Sequence, residues 1–256
     1  MQILPSIKVQ FNIILALIIK ELQVRFGTKK LGYFWLLLEP ILHIIPFYFM
    51  RKLLGNWQTE ELIVFLVTGI VTVLFFTKSV TKIQASITAN QALLAYRQIK
   101  PIDIALSRLM IECIISFGIF ALMVCIFMLF FGKIPTMRTF PLAVFVILLY
   151  SILTFSCGLI LMILVTRMPF LEAIIPQIIR ILYFVSGAFF AVSDLPYSIR
   201  PVILFNPIVH VVEILRFNLM ITQTTNYGNA SYIFIFTVVT LFLALFLYFL
   251  NKAKLV

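Results

Sequence analysis

Two ionisable residues and two prolines interrupt an apolar segment near the N-terminus. Glu39 and His43 lie four residues apart in a stretch that also contains Pro40 and Pro46. On a helix this spacing places the carboxylate and the imidazole on one face. Ionisable groups inside a membrane are costly and usually face a bundle interior or water. Two interpretations follow: the face lines a pathway, or it ties the helix to a neighbour.

Glu112 and Arg180 are two further charges within apolar runs. Each has several possible partners, namely the other residue, Glu39 or a second copy of the chain. Neither belongs to a catalytic or metal-binding pattern. "GTKKLG" lacks the spacing and the Lys-Ser/Thr ending of a phosphate loop, and no GxSxG or HExxH motif occurs. We therefore expect no catalytic residues, no metal and no ATP hydrolysis by this chain.

Composition indicates the environment in which these residues act. Of 256 residues, 63% are hydrophobic and 11% are charged, whereas soluble domains average about 25% charged residues. The sequence predicts an all-α polytopic membrane protein. The net charge is +11, and the basic residues lie beside apolar runs. Their positions are explained better by membrane orientation and by binding to anionic lipid headgroups than by binding to nucleic acid.

The lengths of the apolar runs predict the helices that position these residues. Residues 1–30 contain a run too short to span, and residues 5–29 are expected to form an amphipathic helix in the membrane interface. Segment 195–222 is broken by prolines and charges and is predicted to be re-entrant on the periplasmic side. The remaining domain, 31–256, is predicted to contain six transmembrane helices, at about 31–54, 62–80, 104–131, 142–166, 173–192 and 232–250.

Lys and Arg set the orientation. Most of the 20 basic residues fall on the side of the predicted bundle that carries the N-terminus. Basic residues favour the cytoplasmic side, so both termini are predicted to be cytoplasmic. Arg25, Lys29 and Lys30 would then hold the first span at the anionic leaflet.

Two longer motifs carry a family resemblance. "RFGTKKLGYFWLLLEP" at the first span and "NPIVHVVEILR" before the last one resemble the permeases of type-2 ABC exporters, and among them the capsular polysaccharide export permeases. The resemblance covers essentially the whole chain. It implies a multi-pass protein of the bacterial inner membrane that moves a lipid-linked, usually acidic, polysaccharide from cytoplasm to periplasm.

The resemblance also implies partners. The permease would be a homodimer with a channel at its interface. It would bind two copies of a cytoplasmic ATP-binding subunit, which carries ATP and Mg, through a coupling helix at 88–100. A periplasmic co-polymerase and an outer-membrane polysaccharide channel would complete export.

Site residues follow from the same resemblance. Basic residues near the N-terminal helix would help gate entry: Arg25, Lys29 and Lys30. Coupling residues would be Gln91, Leu94, Tyr96, Arg97 and Lys100. The periplasmic gate would comprise Asn206, Pro207, His210, Glu213 and Arg216. Candidates for the channel lining are Tyr33, Phe34, Trp35, Glu39, His43, Phe75, Arg180, Tyr183, Phe184 and Phe190.

Other functions stay open at this point. O-antigen or teichoic acid could replace capsule as the substrate of the same kind of exporter. A membrane-embedded transferase would need a polar catalytic cluster, for which His43 and His210 are the only histidines. An ion-coupled carrier would be favoured by inverted repeats, and none is apparent in the sequence.

Overall fold

A computed structural model describes residues 3–26, 32–55, 58–96, 98–132, 138–220, 223 and 225–252. This part of the chain is helical and contains no strand. The helices are α1 (Ile3–Phe26), α2 (Gly32–Leu54), α3 (Thr59–Gln84), α4 (Gln91–Leu94), α5 (Pro101–Phe131), α6 (Phe140–Arg167), α7 (Leu171–Val185), α8 (Arg200–Ile203), α9 (Pro207–Leu219) and α10 (Ala230–Asn251). Short 3-10 turns lie at Thr88–Asn90 and Val192–Asp194.

Five of the described helices are long and apolar enough to cross a membrane: α2, α3, α5, α6 and α10. This confirms a polytopic, all-helical protein. The helix at the predicted fifth span is shorter than expected, because α7 ends at Val185 and not at residue 192. Its 15 residues fall short of the roughly 20 that a helical span needs.

The early end of α7 has a tertiary cause. The carbonyls of Ala188 and Phe190 accept hydrogen bonds from the Arg216 guanidinium, and that of Phe189 accepts from Arg51. Two distant arginines thus bond carbonyls that a longer helix would use internally. Gly187 adopts a positive φ of 76° at this break, a conformation that glycine tolerates best.

Helix α3 occupies the centre of the bundle. It packs against α2, α5, α6, α7 and α9, and most of its length is buried. Two glycines permit close approaches. A Cβ at Gly69 would overlap the Arg216 guanidinium, and a Cβ at Gly158 of α6 would lie 2.7 Å from Ile83. Helix α3 is therefore the central helix of the apolar core.

The bundle has two ends. One, the α1 end, carries α1, the 85–100 loop and the starts of α2, α5 and α7. The other, the α9 end, carries the break after α7, together with α8, α9 and the start of α10. Pro40 and Pro46 lie inside α2, which continues through both. Polar side chains concentrate at these ends and along α2, and they compose the candidate site.

Candidate functional site

Helix α2 presents a row of side chains to its neighbours at every fourth position. Glu39 forms an ion pair with Lys78 of α3, with 2.6 Å between Oε2 and Nζ. One turn later, Nδ1 of His43 lies 2.6 Å from the Tyr183 hydroxyl of α7. The predicted shared face is therefore real. Both residues use it to tie α2 to another helix, which was one of the two interpretations.

The row continues towards the α9 end. The ring of Phe47 stacks on that of Phe189, with centroids 3.6 Å apart. Arg51 forms an ion pair with Asp194 at 2.9 Å and donates to the Phe189 carbonyl. We call Glu39, His43, Phe47 and Arg51 the α2 ladder. It fixes α2 against α3, α7 and the break after α7.

Helices α2 and α7 expose a different set of side chains beside the ladder. We call this set the α2–α7 face: Phe34, Trp35, Gln177, Arg180 and Phe184. Phe34, Trp35 and Phe184 are all more than half exposed. Arg180 is also exposed, and no carboxylate in the described part of the chain pairs with it. The face thus combines aromatic rings with a cation that no described carboxylate neutralises.

The structure places three other channel candidates elsewhere. Phe75 is buried, its ring centroid 5.6 Å from that of Tyr150 on α6, so it lies apart from the α2–α7 face. Tyr183 is buried behind the face through its contact with His43. Phe190 is half-buried, and its carbonyl binds Arg216. The side chain of Tyr33 lies outside the described set.

A cluster of ion pairs lies at the α1 end. The Glu112 carboxylate of α5 is buried and pairs with both Arg25 of α1 and Lys82 of α3. Arg25 was expected to bind lipid headgroups, but it reaches a protein carboxylate instead. Glu112 therefore has its partners on α1 and α3, and Arg180 is not among them.

Two further contacts hold α1 in place. Glu21 lies 3.7 Å from Arg108 of α5, whose guanidinium also donates to the Lys82 carbonyl. Lys20 donates to the Asn90 side chain at 2.7 Å. Since Asn90 lies in the 85–100 loop, α1 is attached to that loop as well as to the bundle. Lys29 and Lys30 lie outside the described residues.

The 85–100 loop exposes three of its predicted coupling residues. Gln91, Tyr96 and Lys100 are exposed, whereas Leu94 is buried. Arg97 lies outside the described residues. The predicted helix at 88–100 is in fact a 3-10 turn followed by the single turn α4. Lys100 is already extended, because Pro101 starts α5 and disfavours helix in the residue before it.

Helix α9 organises the other end of the molecule. Asn206 is its N-cap, accepting from the Ile208 N–H, and Pro207 occupies the first helical position, a common start for a helix. The Asn206 amide also donates to Ser186 at the end of α7. The Asn-Pro pair thus starts α9 and joins it to α7.

His210 lies one turn further along α9. Its Nε2 donates to the Leu204 carbonyl at 2.7 Å, and its Nδ1 accepts from the Asn229 N–H at 3.1 Å. These two bonds require the neutral imidazole. Burial lowers the pKa of His210, in agreement with a neutral ring.

Glu213 and Arg216 complete the α9 hub, which we define as Asn206, His210, Glu213 and Arg216. The Glu213 carboxylate accepts from Val192 N–H and Gln223. The fully buried Arg216 donates to the carbonyls of Phe65, Ala188 and Phe190. These predicted gate residues hold the neighbouring segments together in the structure, and their role as a gate remains a prediction.

Sequence reasoning missed three partners in these contacts. Two of them are Lys78 and Lys82, which neutralise Glu39 and Glu112. The third is Arg51, which pairs with Asp194. A signal for Arg51 was present, because it continues the fourfold spacing of Glu39, His43 and Phe47. The identity of each partner depends on which helices lie side by side.

Comparison with known proteins agrees with this architecture. The model of the ABC-2 type transporter family matches residues 12–220. The polysialic acid transport protein KpsM of Escherichia coli is 32% identical over 91% of each chain. The capsule polysaccharide export inner-membrane protein CtrC of Neisseria meningitidis serogroup A is 29% identical over 94% of this chain and 92% of its own. BexB of Haemophilus influenzae, which has the same description, is 26% identical over 82% of this chain and 80% of its own.

Proposed function

The chain belongs to the ABC-2 type transporter family, and from this premise we propose that it is the inner-membrane permease of a capsular polysaccharide exporter. It would move lipid-linked polymer from the cytoplasm to the periplasm. Energy would come from ATP hydrolysed on a separate subunit. The names of its relatives, which transport polysialic acid or export capsule polysaccharide, support this substrate class.

Arg180 is the observation that carries the proposal. It lies roughly 13 Å along α7 from Leu171 at 1.5 Å per residue, and the proposed fifth crossing would put it inside the membrane. A cation facing lipid at this depth costs about 2.5–3.5 kcal/mol or more. Arg180 is exposed without a carboxylate partner among the described residues. This favours a hydrated or ligand-filled environment for the α2–α7 face.

An acidic polysaccharide matches the chemistry of that face. Guanidinium groups form paired hydrogen bonds with carboxylates. The exposed rings of Trp35 and Phe184 offer flat apolar surfaces on which sugar rings stack. We propose that the faces of two copies meet around the polymer in a homodimer. The channel would then contain two copies of Arg180.

We further propose the arrangement across the membrane. The α1 end is cytoplasmic, and the chain crosses six times because α7 and the turn residues after it make the fifth crossing. Gln91, Tyr96 and Lys100 are the exposed contacts for the ATP-binding subunit. The link from Lys20 to Asn90 would make α1 follow the movements of that loop. The α9 end is periplasmic, where the co-polymerase and the outer-membrane channel act.

The proposal is tested first by where polymer accumulates when the gene is deleted. We expect lipid-linked polysaccharide to collect in the cytoplasm and to return to the cell surface on complementation. A cell that stops making polymer would point to a membrane-embedded transferase. Unchanged surface capsule with loss of O-antigen would assign the chain to the other polysaccharide class.

The dimer is tested by cysteine cross-linking. Cys113, Cys125 and Cys157 are first replaced by Ala, and single cysteines are then introduced as Ile181→Cys and Phe184→Cys. We expect cross-linked dimers from these two positions of α7. The control is Phe242→Cys, an exposed position on α10. Cross-linking through Phe242→Cys alone would place the dimer interface on α10 and contradict the proposal.

A further inference from the structure

An apolar cavity lies apart from the α2–α7 face. It has a volume of about 140 Å³ and is lined by α3, α5, α6 and α9. Phe75, Phe120 and Leu215 contribute to its walls, and Phe117, Phe140 and Val144 lie at its exposed rim. Because these rim residues lie on α5 and α6, both apolar spans, the cavity opens towards the lipid.

The polar groups of Tyr150, Ser151 and Asn218 in the wall form hydrogen bonds within the protein. The Tyr150 hydroxyl donates to the Thr72 carbonyl, and Ser151 donates to the Ile147 carbonyl. The Asn218 side chain accepts from Thr139 and donates to the Ile214 carbonyl. These bonds leave an apolar surface for an occupant. Such a cavity offers nothing to a sugar, whereas a hydrocarbon chain would restore the dispersion contacts that an empty space loses.

The depth of the cavity matches one leaflet. Its α6 wall extends from Thr139 at the α9 end to Ser151, roughly 18 Å at 1.5 Å per residue. Half of the hydrocarbon core is about 15 Å thick. An acyl chain that enters at the α9 end would therefore follow the wall of α6 to the middle of the membrane.

A cation is adjacent in sequence to the cavity lining, which includes Thr139. Arg138 directly precedes Thr139 and is exposed, while its guanidinium donates to the Met220 and Gln223 carbonyls and lies over the Phe217 ring. These contacts fix the positive charge beside Met220, the neighbour of the lining residue Leu219. A guanidinium suits phosphate well.

From the apolar wall, the depth and the placed cation, we propose that this cavity binds one acyl chain of an anionic bilayer phospholipid, with its phosphate at Arg138. The site belongs to the leaflet at the α9 end. It is separate from the proposed polymer path and does not depend on the proposed function. The bound lipid would fill the space between α5 and α6 and stiffen their outer halves.

The test uses the purified full-length protein, delipidated and then returned to nanodiscs or micelles with known amounts of palmitoyl-oleoyl phosphatidylglycerol or phosphatidylcholine. Ala143→Phe fills the cavity from the wall of α6. Leu148→Phe is its matched control, because Leu148 is 59% exposed on the same helix and lies outside the cavity lining. Native mass spectrometry counts retained phospholipid, and thermal unfolding shows whether each variant is folded.

We expect Ala143→Phe to retain phosphatidylglycerol roughly tenfold more weakly, equivalent to about 1.4 kcal/mol, while Leu148→Phe behaves as the parent protein. Arg138→Gln should lose the preference for phosphatidylglycerol over phosphatidylcholine, and Arg138→Lys should keep much of it. Equal retention of phosphatidylglycerol by folded Ala143→Phe and by the parent protein would contradict the proposed lipid site. So would photo-cross-linking from Val144 to a membrane helix of another protein, or recovery of the exported glycolipid from the cavity.

Discussion

Helices α7 and α10 both expose one side to the surroundings of the chain, and the two sides differ in chemistry. Between Phe234 and Leu250 every exposed side chain of α10 is apolar. The exposed side of α7 contains Glu172, Gln177 and Arg180 among its apolar residues. Lipid tolerates the first side at no cost and penalises the second.

This difference indicates that the exposed side of α7, unlike that of α10, is suited to an environment other than lipid. Helix α10 is attached mainly through α6 and α9, and it fits a boundary with the bilayer. Helix α7 is held by specific polar contacts, namely His43 to Tyr183 on its flank and Asn206 to Ser186 at its end. A helix positioned in this way, with a cation that no described carboxylate pairs with, is the wall of a polar path in our proposal.

The largest expected effect comes from removing the support of α7. Arg216→Ala should unfold the α9 end, because it leaves the carbonyls of Phe65, Ala188 and Phe190 without their donors, at about 1–3 kcal/mol for each buried group. Size-exclusion profiles and thermal unfolding in detergent measure this loss. Arg200→Ala is the control, since Arg200 also binds two carbonyls but is only half-buried. Equal losses of stability in the two variants would show that the α9 hub is no more important for folding than Arg200.

A pair of arginine insertions tests the comparison itself. Val239 of α10 and Ile178 of α7 are 59% and 57% exposed. Val239→Arg should lower the yield of folded protein by an amount equivalent to about 2.5–3.5 kcal/mol, the cost of Arg at a helix centre in lipid. Ile178→Arg should be tolerated. If both variants are equally damaged, the α7 side faces lipid and the comparison fails.

Replacement of Arg180 separates folding from transport. Arg180→Leu should leave folding intact and reduce export of an acidic polymer about tenfold, as expected for loss of a contact of about 1.4 kcal/mol in the rate-limiting step. Arg180→Lys should retain part of the activity, because it keeps the charge but not the planar geometry. Surface polymer is measured against permease level. Full export by Arg180→Leu would remove this residue from the path.

The smallest effect is a pH dependence at the start of α10. Burial lowers the pKa of His210, so its stabilising contribution is present above the ordinary value of about 6.5 and is lost as pH falls through the lowered value. Protonation would break the bond from the Asn229 N–H to Nδ1, at about 1 kcal/mol. Thermal unfolding from pH 7 to pH 5 measures this loss.

His210→Gln is the control for that titration, because an amide still offers a donor and an acceptor but does not titrate in this range. We expect it to flatten the decline towards acid. Other titrating groups, including Glu213, contribute equally to both proteins and cancel in the difference. Identical pH profiles would show that His210 does not control the start of α10.

Much of this architecture was predictable from the sequence. Apolar runs of sufficient length required membrane helices, since a backbone in lipid must satisfy its own hydrogen bonds. Glu39 and His43 had to share a face because a helix repeats every 3.6 residues. Asn206 and Pro207 are residue types that suit the start of α9, because an N-cap acceptor and a proline at the first position are common there.

The tertiary structure decided which groups meet. Nothing local indicates that Glu112 pairs with Arg25 and Lys82 while Arg180 stays without a carboxylate among the described residues. Helix α7 ends early because Arg51 and Arg216, distant in sequence, bind the carbonyls after it. Periodicity is a property of one helix and can be read along the chain. The partner of a charge depends on which helices are adjacent, and only the packed bundle determines that.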